Sequence, residues 1–264
     1  MRKEVKIEVT ETPITLISGI TFAQTPYWFP MYGYKDLKMD LLVPFRRPQQ
    51  GEQRPLIIWI CGGAFQTMER SAHIPWLINF AKHGFVAASI EYRLSNSSTM
   101  SGRLGDVKAA IRYLRAHAEM YGIDPERIII GGESAGGMLA SLAGATCGEM
   151  KYEVGAYLEE SSQVSAVIDF YGPYTVMKKT KQDSADWDID EIDLTKMPPV
   201  FLAHGTKDEI LELSYSEEYD RLLEQNGVET TFYVVEGAGH MGMEFYQKEM
   251  FDKIMMFLQK SRMC

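Results

Sequence analysis

Short apolar, β-branched runs punctuate the chain: PLIIWI, FVAASI, RIIIGG, VSAVIDF, PPVFLAHG and TTFYVV, spread between residues 55 and 235. Stretches of helical period separate them. Continuous apolar strands spaced by helices are what a parallel sheet covered on both faces requires. Ahead of them, VKIEVT and LKMDLLVP alternate apolar and polar residues, the pattern of half-buried strands near a sheet edge.

The intervening helices carry their own signature. In GDVKAAIRYLRAHAEMYG, Val107, Ile111, Leu114, Ala118 and Tyr121 recur at three and four residues and form one apolar stripe. That spacing leaves Lys108, Arg112 and Arg115 to face water. YSEEYDRLLEQNG and FYQKEMFDKIMMFLQK repeat the arrangement, with Gly227 placed to end the first of these. No internal repeat or Gly/Ser linker interrupts the series. The expected architecture is one α/β domain over residues 1–264, with a mostly parallel central sheet, helices on both faces and a short lid-like insertion over 171–198. Active sites in such open sheets lie beyond the carboxyl ends of the strands.

Composition narrows the function classes. The net charge of −9 and the scatter of Lys and Arg argue against a nucleic-acid surface, which needs a basic stripe. No apolar stretch reaches the ~20 residues of a spanning helix, so no membrane partner is expected. The charged start MRKEVKIEVTETP has no apolar region behind it and does not read as a signal peptide. Cys61, Cys147 and Cys264 have neither metal nor disulfide spacing, which points to a reduced, cytoplasmic protein. The expected partner is a small molecule, and the sequence leaves homo-oligomerisation open.

The chemistry concentrates in IIIGGESAGGMLASLAG. A strand runs into Gly132-Glu133-Ser134-Ala135-Gly136, a G-x-S-x-G, and continues as an Ala-rich helix. That context marks a nucleophile elbow, whose turn lifts the serine hydroxyl above the sheet and presents the Ala135 N–H to an oxyanion. A serine needs a base and a group to orient that base. His240 stands downstream in the Gly-rich loop VEGAGHMGMEF. His73 and His83 flank a helix, His117 lies on one, and His204 closes a strand and reads as structural. For the acid, Asp208 follows the strand Val200–His204, with Glu209 as fallback and Asp169 as a weaker candidate. In WICGGAFQ, Gly62 and Gly63 let the chain curl so that the N–H groups of Gly63 and Ala64 meet a developing oxyanion.

The stretches DLLVP, CGGAF, EYRL, GDVKAAIRYLRAHAEMYGIDPERIIIGGESAGG, HGTKDEI and GAGH together resemble the α/β-hydrolase superfamily. The similarity is to its esterase branch, hormone-sensitive-lipase-like and bacterial feruloyl/acetyl esterase-like, from about residue 37 to the end. The resemblance implies an α/β-hydrolase fold, the triad Ser134, Asp208 and His240, and an oxyanion hole of Gly63, Ala64 and Ala135. It implies a serine carboxylesterase of small acyl esters, acetylated sugars among them, with no cofactor and no metal. An amide hydrolase such as an aryl-formamidase or small exopeptidase is the nearest alternative. An inactive hydrolase-fold binding protein is the alternative of another class. Relatives usually begin the oxyanion motif with His-Gly-Gly, where this chain has Cys61, so loss of a loop-bracing hydrogen bond is expected and the thiol reads as inert. The loop RLSNSSTMSGRLGD lacks the prolines common in relatives.

Around the site, Phe65, Tyr171, Tyr174 and Trp187 are candidate substrate-holding aromatics, and Met241, with Met243, suggests a pliable wall. The acidic DSADWDIDEID has Asp186, Asp188 and Asp190 at calcium-loop spacing. Glu191 stands where such a loop needs glycine, and Met197 where it needs glutamate, so a solvated loop is expected.

Overall fold

The computed structural model describes residues 2–27, 33–44, 52–176 and 191–261. Among them an eight-stranded sheet has the order β1-β2-β4-β3-β5-β6-β7-β8. The strands are β1 (Ile14–Tyr27), β2 (Gly33–Pro44), β3 (Arg54–Ile60), β4 (Val86–Ile90), β5 (Ile123–Glu133), β6 (Ala166–Phe170), β7 (Val200–Gly205) and β8 (Thr230–Val235). β2 is antiparallel to both β1 and β4, and every pairing from β4 to β8 is parallel. The helices are α1 (Ile74–Lys82), α2 (Met100–Ala116), α3 (Ala118–Tyr121), α4 (Ala135–Ala145), α5 (Leu213–Gln225) and α6 (Lys248–Lys260).

The apolar runs become doubly covered strands because successive side chains point to opposite faces. Ile57, Trp59, Ile129, Ile168 and Phe201 pack with Trp76, Leu77 and Phe80 of α1 and Phe251, Ile254 and Phe257 of α6. Their neighbours Leu56, Ile58, Ile128, Ile130, Val167 and Val200 pack on the other face with α2, α4 and α5. β3, β4, β6 and β7 are buried throughout, whereas β8, the far edge, is half-exposed.

Two expectations are corrected. VKIEVT forms no strand, and Val5, Ile7 and Val9 are 77%, 80% and 89% exposed. Alternation alone stabilises no strand without a neighbouring ladder and a face to bury. The edge strand is β1 instead. Its register against β2 shifts between Ile17 and Ile20 and again between Thr21 and Ala23, which breaks the two-residue period and hides it from pattern reading. At the first shift, Gly19 takes a positive φ of 74°, and the Asp40 carboxylate receives Ser18 Oγ at 2.7 Å and Gly19 N at 2.8 Å.

The second correction concerns α2. Lys108 and Arg112 do not face water; both are fully buried beneath the segment after α4. Lys108 Nζ donates to Thr146 O (2.8 Å) and Glu153 Oε1 (2.7 Å). Arg112 donates to the Ala156 and Val154 carbonyls and pairs with Glu153. Val107, Ile111, Leu114 and Ala118 of the apolar stripe are nevertheless buried and Tyr121 is half-buried; the chain breaks at His117, so that Ala118 and Tyr121 belong to α3. Gly227, at φ 75°, follows the end of α5 and donates to Glu224 O at 3.0 Å.

Candidate active site

β5 ends at Glu133 and α4 begins at Ala135, so Ser134 alone makes the turn, at φ 54° and ψ −122°. This conformation costs a non-glycine residue on the order of 1–3 kcal/mol. Its N–H is anchored to Phe170 O at 2.9 Å, at the end of the adjacent strand β6. The flanking glycines have a spatial reason. A Cβ on Gly132 would lie 2.4 Å from the Gly136 carbonyl carbon, and one on Gly136 would lie 2.0 Å from Ile60 O. Strand and helix backbones are in contact here, and the close approach holds the end of β3 against the elbow. The Ala135 N–H stands in the first turn of α4, where helical donors have no intrahelical acceptor.

Two loops from the carboxyl edge supply the partners of Ser134. The β7 and β8 loops are laced together by Lys207 N to Ala238 O (2.9 Å), Thr206 N to Val235 O (3.0 Å) and Gly237 N to Thr206 Oγ1 (2.8 Å). This lacing brings His240 Nδ1 to 2.7 Å from Asp208 Oδ2, and His240 Nε2 to 3.1 Å from Ser134 Oγ. With the Asp208 carboxylate on Nδ1, that nitrogen carries the proton and Nε2 is left to accept from the serine. Asp208 Oδ1 receives the N–H groups of Ile210 (2.9 Å) and Leu211 (2.8 Å). Burial alone would raise the Asp208 carboxyl, but the Leu211 and Ile210 N–H groups and His240 hold it below its ordinary value. The alternatives lie elsewhere. Glu209 is exposed. Asp169 is buried under α4, where it receives Ser141 Oγ (2.5 Å) and Gly172 N (2.7 Å).

Beyond β3 the chain passes through three consecutive positive φ angles: Gly63 at 120°, Ala64 at 52° and Phe65 at 60°. Gly63 O closes the turn by accepting from Gln66 N (2.9 Å) and Thr67 N (3.2 Å). A Cβ on Gly62 would lie 2.8 Å from Glu133 O, so this loop crosses directly beside the residue that precedes Ser134. The bracing expected to vanish with Cys61 has other sources. Gly62 N donates to Glu133 Oε1 at 2.6 Å, Tyr92 Oη donates to Cys61 O at 2.9 Å, and Ser95 N donates to Phe65 O at 2.8 Å. The Cys61 thiol is buried against Ser89, and burial together with the Glu133 charge pushes it up to about 12. The proline-poor loop after β4 is held by Arg93, whose backbone N–H and guanidinium both meet Asp106.

The candidate substrate residues scatter. Phe65 is half-buried beside the glycine turn, with Arg103 over its ring at 5.0 Å. Tyr171 is 1% exposed; its ring centroid stands 4.7 Å from that of His240, so it backs the imidazole and offers no open face. Tyr174 is core, stacked on Tyr219 at 4.3 Å. Neither tyrosine is available to hold substrate as expected, because sequence shows where a strand ends but not which way the next ring turns. Met241 follows the histidine at φ 59° and is 61% exposed, and Met243 is 79% exposed. Trp187, Asp186, Asp188 and Asp190 lie outside the described residues.

Some participants carried no sequence signal of their own. His204, read as structural, is buried with Nε2 3.0 Å from Leu211 O and 3.3 Å from Asp208 Oδ2, while Nδ1 lies 2.7 Å from Ser216 Oγ. Glu133 was visible only as the variable position of G-x-S-x-G, and nothing in the sequence ties His73 to it.

Known proteins resemble this chain in sequence and in fold. The BD-FAE family model matches residues 39–197. "Probable carboxylic ester hydrolase LipM" of Mycobacterium tuberculosis is 29% identical over 204 residues, which cover 68% of this chain and 47% of that protein. "Esterase LipC" of the same organism is 26% identical, covering 78% of this chain and 58% of that one. The chain spans about half the length of the curated relatives it matches. A solved structure, "Truncated form of carbohydrate esterase from gut microbiota", superposes with a TM-score of 0.77 at 26% identity, covering 97% of this chain and 100% of that one. The butyrate-bound esterase Est2 of Thermogutta terrifontis shares the fold, with a TM-score of 0.74 at 22% identity over 86% of this chain and 90% of that one. No helix among the described residues is long and apolar enough to cross a membrane.

Proposed function

This chain belongs to the BD-FAE family, and on that footing we propose that it is a serine esterase hydrolysing small or short-chain acyl esters through an acyl-enzyme. The observation that carries the reading is the continuous relay from Ser134 Oγ to His240 at 3.1 Å and from His240 to Asp208 at 2.7 Å.

In this reading His240 Nε2 takes the Ser134 proton as Oγ attacks the ester carbonyl. Asp208 stays ionised and steadies the imidazolium through Nδ1. The carbonyl oxygen becomes an oxyanion that meets the N–H groups of Gly63, Ala64 and Ala135; losing one such donor typically costs about 100–1000-fold in rate. Collapse breaks the ester C–O bond, and the leaving alcohol carries off the proton from Nε2. Water, deprotonated by His240, then attacks the acyl-serine, and the proton returns to Oγ as the carboxylic acid leaves. No cofactor enters these steps.

Acetylated sugars are our first choice of natural substrate, supported by the 26% identity to a carbohydrate esterase along that enzyme's whole solved chain. Phe65 and Met241, beside the glycine turn and the histidine, are proposed to border the acyl or alcohol group. A cytoplasmic location belongs to the same proposal and is supported by the free thiols Cys61 and Cys147.

The test is hydrolysis of p-nitrophenyl esters from acetate to decanoate by wild type and Ser134→Ala, with fluorophosphonate labelling of both. The expected result is preference for the shortest chains, near-background turnover in the alanine variant and labelling of wild type alone. Equal turnover by the two proteins would remove Ser134 from the reaction, and inactivity of both would end the esterase reading.

A further inference from the structure

We propose that Glu133 and His73 form a buried positioning pair that holds the glycine turn after β3 in its oxyanion-binding shape. The proposal deepens the esterase reading, since it assigns this pair the task of setting the Gly63 and Ala64 donors.

Three consecutive positive φ angles at Gly63, Ala64 and Phe65 make an unfavourable turn, two of them on residues with a Cβ. Such a turn persists only where its surroundings over-determine it. At its upstream end, next to the Tyr92 hydroxyl on Cys61 O, the Glu133 carboxylate holds the Gly62 N–H. Glu133 Oε1 accepts Gly62 N–H at 2.6 Å and faces His73 Nε2 at 3.2 Å. Their side chains are 4% and 12% exposed, so water competes weakly for these bonds. There is no room for any side chain at residue 62, where a Cβ would sit 2.3 Å from Glu133 Oε2.

His73 is fixed in turn. It precedes α1, and its ring stacks on Tyr246 at 5.0 Å with an interplanar angle of 18°. The Tyr246 hydroxyl stands 3.4 Å from that of Tyr171, the ring that backs His240. Glu133 adjoins Ser134 in the chain, so one side chain links the nucleophile's turn to the donor turn. A packed aromatic path then runs from the far side of that carboxylate to the general base. Cys61, one residue upstream, has its thiol buried against Ser89, so it takes no part in holding Gly62.

The substitutions that test this are Glu133→Ala, Glu133→Gln and His73→Phe, the last keeping a ring against Tyr246 while removing the donor. Turnover of p-nitrophenyl acetate is measured per fluorophosphonate-titrated serine, and amide exchange at Gly62 is followed by NMR. Glu133→Ala is expected to lower kcat about 10–100-fold with KM within about threefold, since the donors act on the transition state and not on ground-state binding. Glu133→Gln keeps an oxygen for the Gly62 N–H and is expected to stay within about fivefold of wild type, because a neutral acceptor makes a weaker but similar bond. His73→Phe should fall between the two. Gly62 exchange should accelerate in Glu133→Ala while Ile57–Ile60 remain protected. Wild-type kcat and unchanged Gly62 exchange in Glu133→Ala would overturn the proposal. So would a Glu133→Gln enzyme as slow as Glu133→Ala, which would make charge, not bracing, the requirement. If Glu133→Ala does not fold, unchanged kcat and Gly62 exchange in His73→Phe overturn it. If wild type neither turns over esters nor labels, the esterase reading falls, and the exchange comparison alone decides the pair.

Discussion

His204 Nε2 stands 3.3 Å from Asp208 Oδ2, the same oxygen that His240 Nδ1 meets at 2.7 Å. The carboxylate is therefore flanked by two imidazoles, one fully buried and one at the edge of the site. Burial holds His204 below its ordinary value, so it is neutral, with its proton on Nε2 toward Leu211 O and Nδ1 accepting from Ser216.

Replacing His204 by Phe keeps a ring in this position and removes its N–H. The Leu211 carbonyl and Ser216 hydroxyl lose a partner, at a cost of about 1–3 kcal/mol in stability. The Asp208 carboxylate loses a flanking donor, and kcat is expected to fall about tenfold with KM little changed. Urea unfolding and turnover per labelled serine check the two effects separately.

Asp169 supplies a pH dependence. Burial raises its carboxyl from 3.8 to about 6, against the opposing bonds from Ser141 and Gly172. A carboxyl raised in the folded state contributes stability that is complete below the unfolded value and is lost as pH rises through the folded one. The loss runs from about pH 4 to about pH 6 and amounts to on the order of 3 kcal/mol. Asp169→Asn does not titrate. Its stability relative to wild type should therefore improve by that order between pH 4 and pH 7, read from urea midpoints. A difference that stays constant over this range contradicts the assignment.

Two glycines should respond very differently to alanine. Gly136→Ala places a Cβ 2.0 Å from Ile60 O, between two backbones that cannot separate without opening the elbow. It is expected to cost at least about 3 kcal/mol and to abolish turnover. Gly227→Ala meets nothing within 4 Å, and its φ of 75° costs only about 1–2 kcal/mol. Turnover of that variant should match wild type, and unfolding midpoints give the comparison.

Glu153 is the shared carboxylate partner of two fully buried cations, Lys108 and Arg112, away from the loops that carry Asp208 and His240. Glu153→Ala leaves both without their carboxylate and should destabilise the fold by about 3–5 kcal/mol. The kcat of the folded fraction is expected to remain at the wild-type value.

Cys61 lies just before the Gly62–Gly63 turn yet is 3% exposed, with its thiol pushed up to about 12 by burial and the Glu133 charge. Iodoacetamide at pH 8 is expected to leave it unmodified in the native protein and to alkylate it after denaturation, as peptide mass mapping will read. Native alkylation would show that the end of β3 opens.

The legibility of this protein differs from one element to the next. β3, β5 and β7 were plain because a doubly covered strand is a continuous apolar run. β1 was not, because its register shifts erase the two-residue period, and the decoy VKIEVT carried a cleaner alternation with nothing to pair against. Lys108 and Arg112 were read as solvent-facing because charge predicts exposure unless a partner arrives from elsewhere. Glu153 arrives from 41 residues or more further along the chain.

The sequence by itself determined the parallel α/β sheet, the elbow at Ser134 and the loops that carry Asp208 and His240. Each of these rests on local physics: strand periodicity, glycine where backbones touch, and loops at strand ends. Tertiary structure decided which side chains share an oxygen or a ring face. His204 joined Asp208, Glu133 joined His73 and Gly62, and Tyr171 and Tyr174 turned inward. Such contacts are set by how separate elements pack, and packing geometry has no period in the sequence from which to read it.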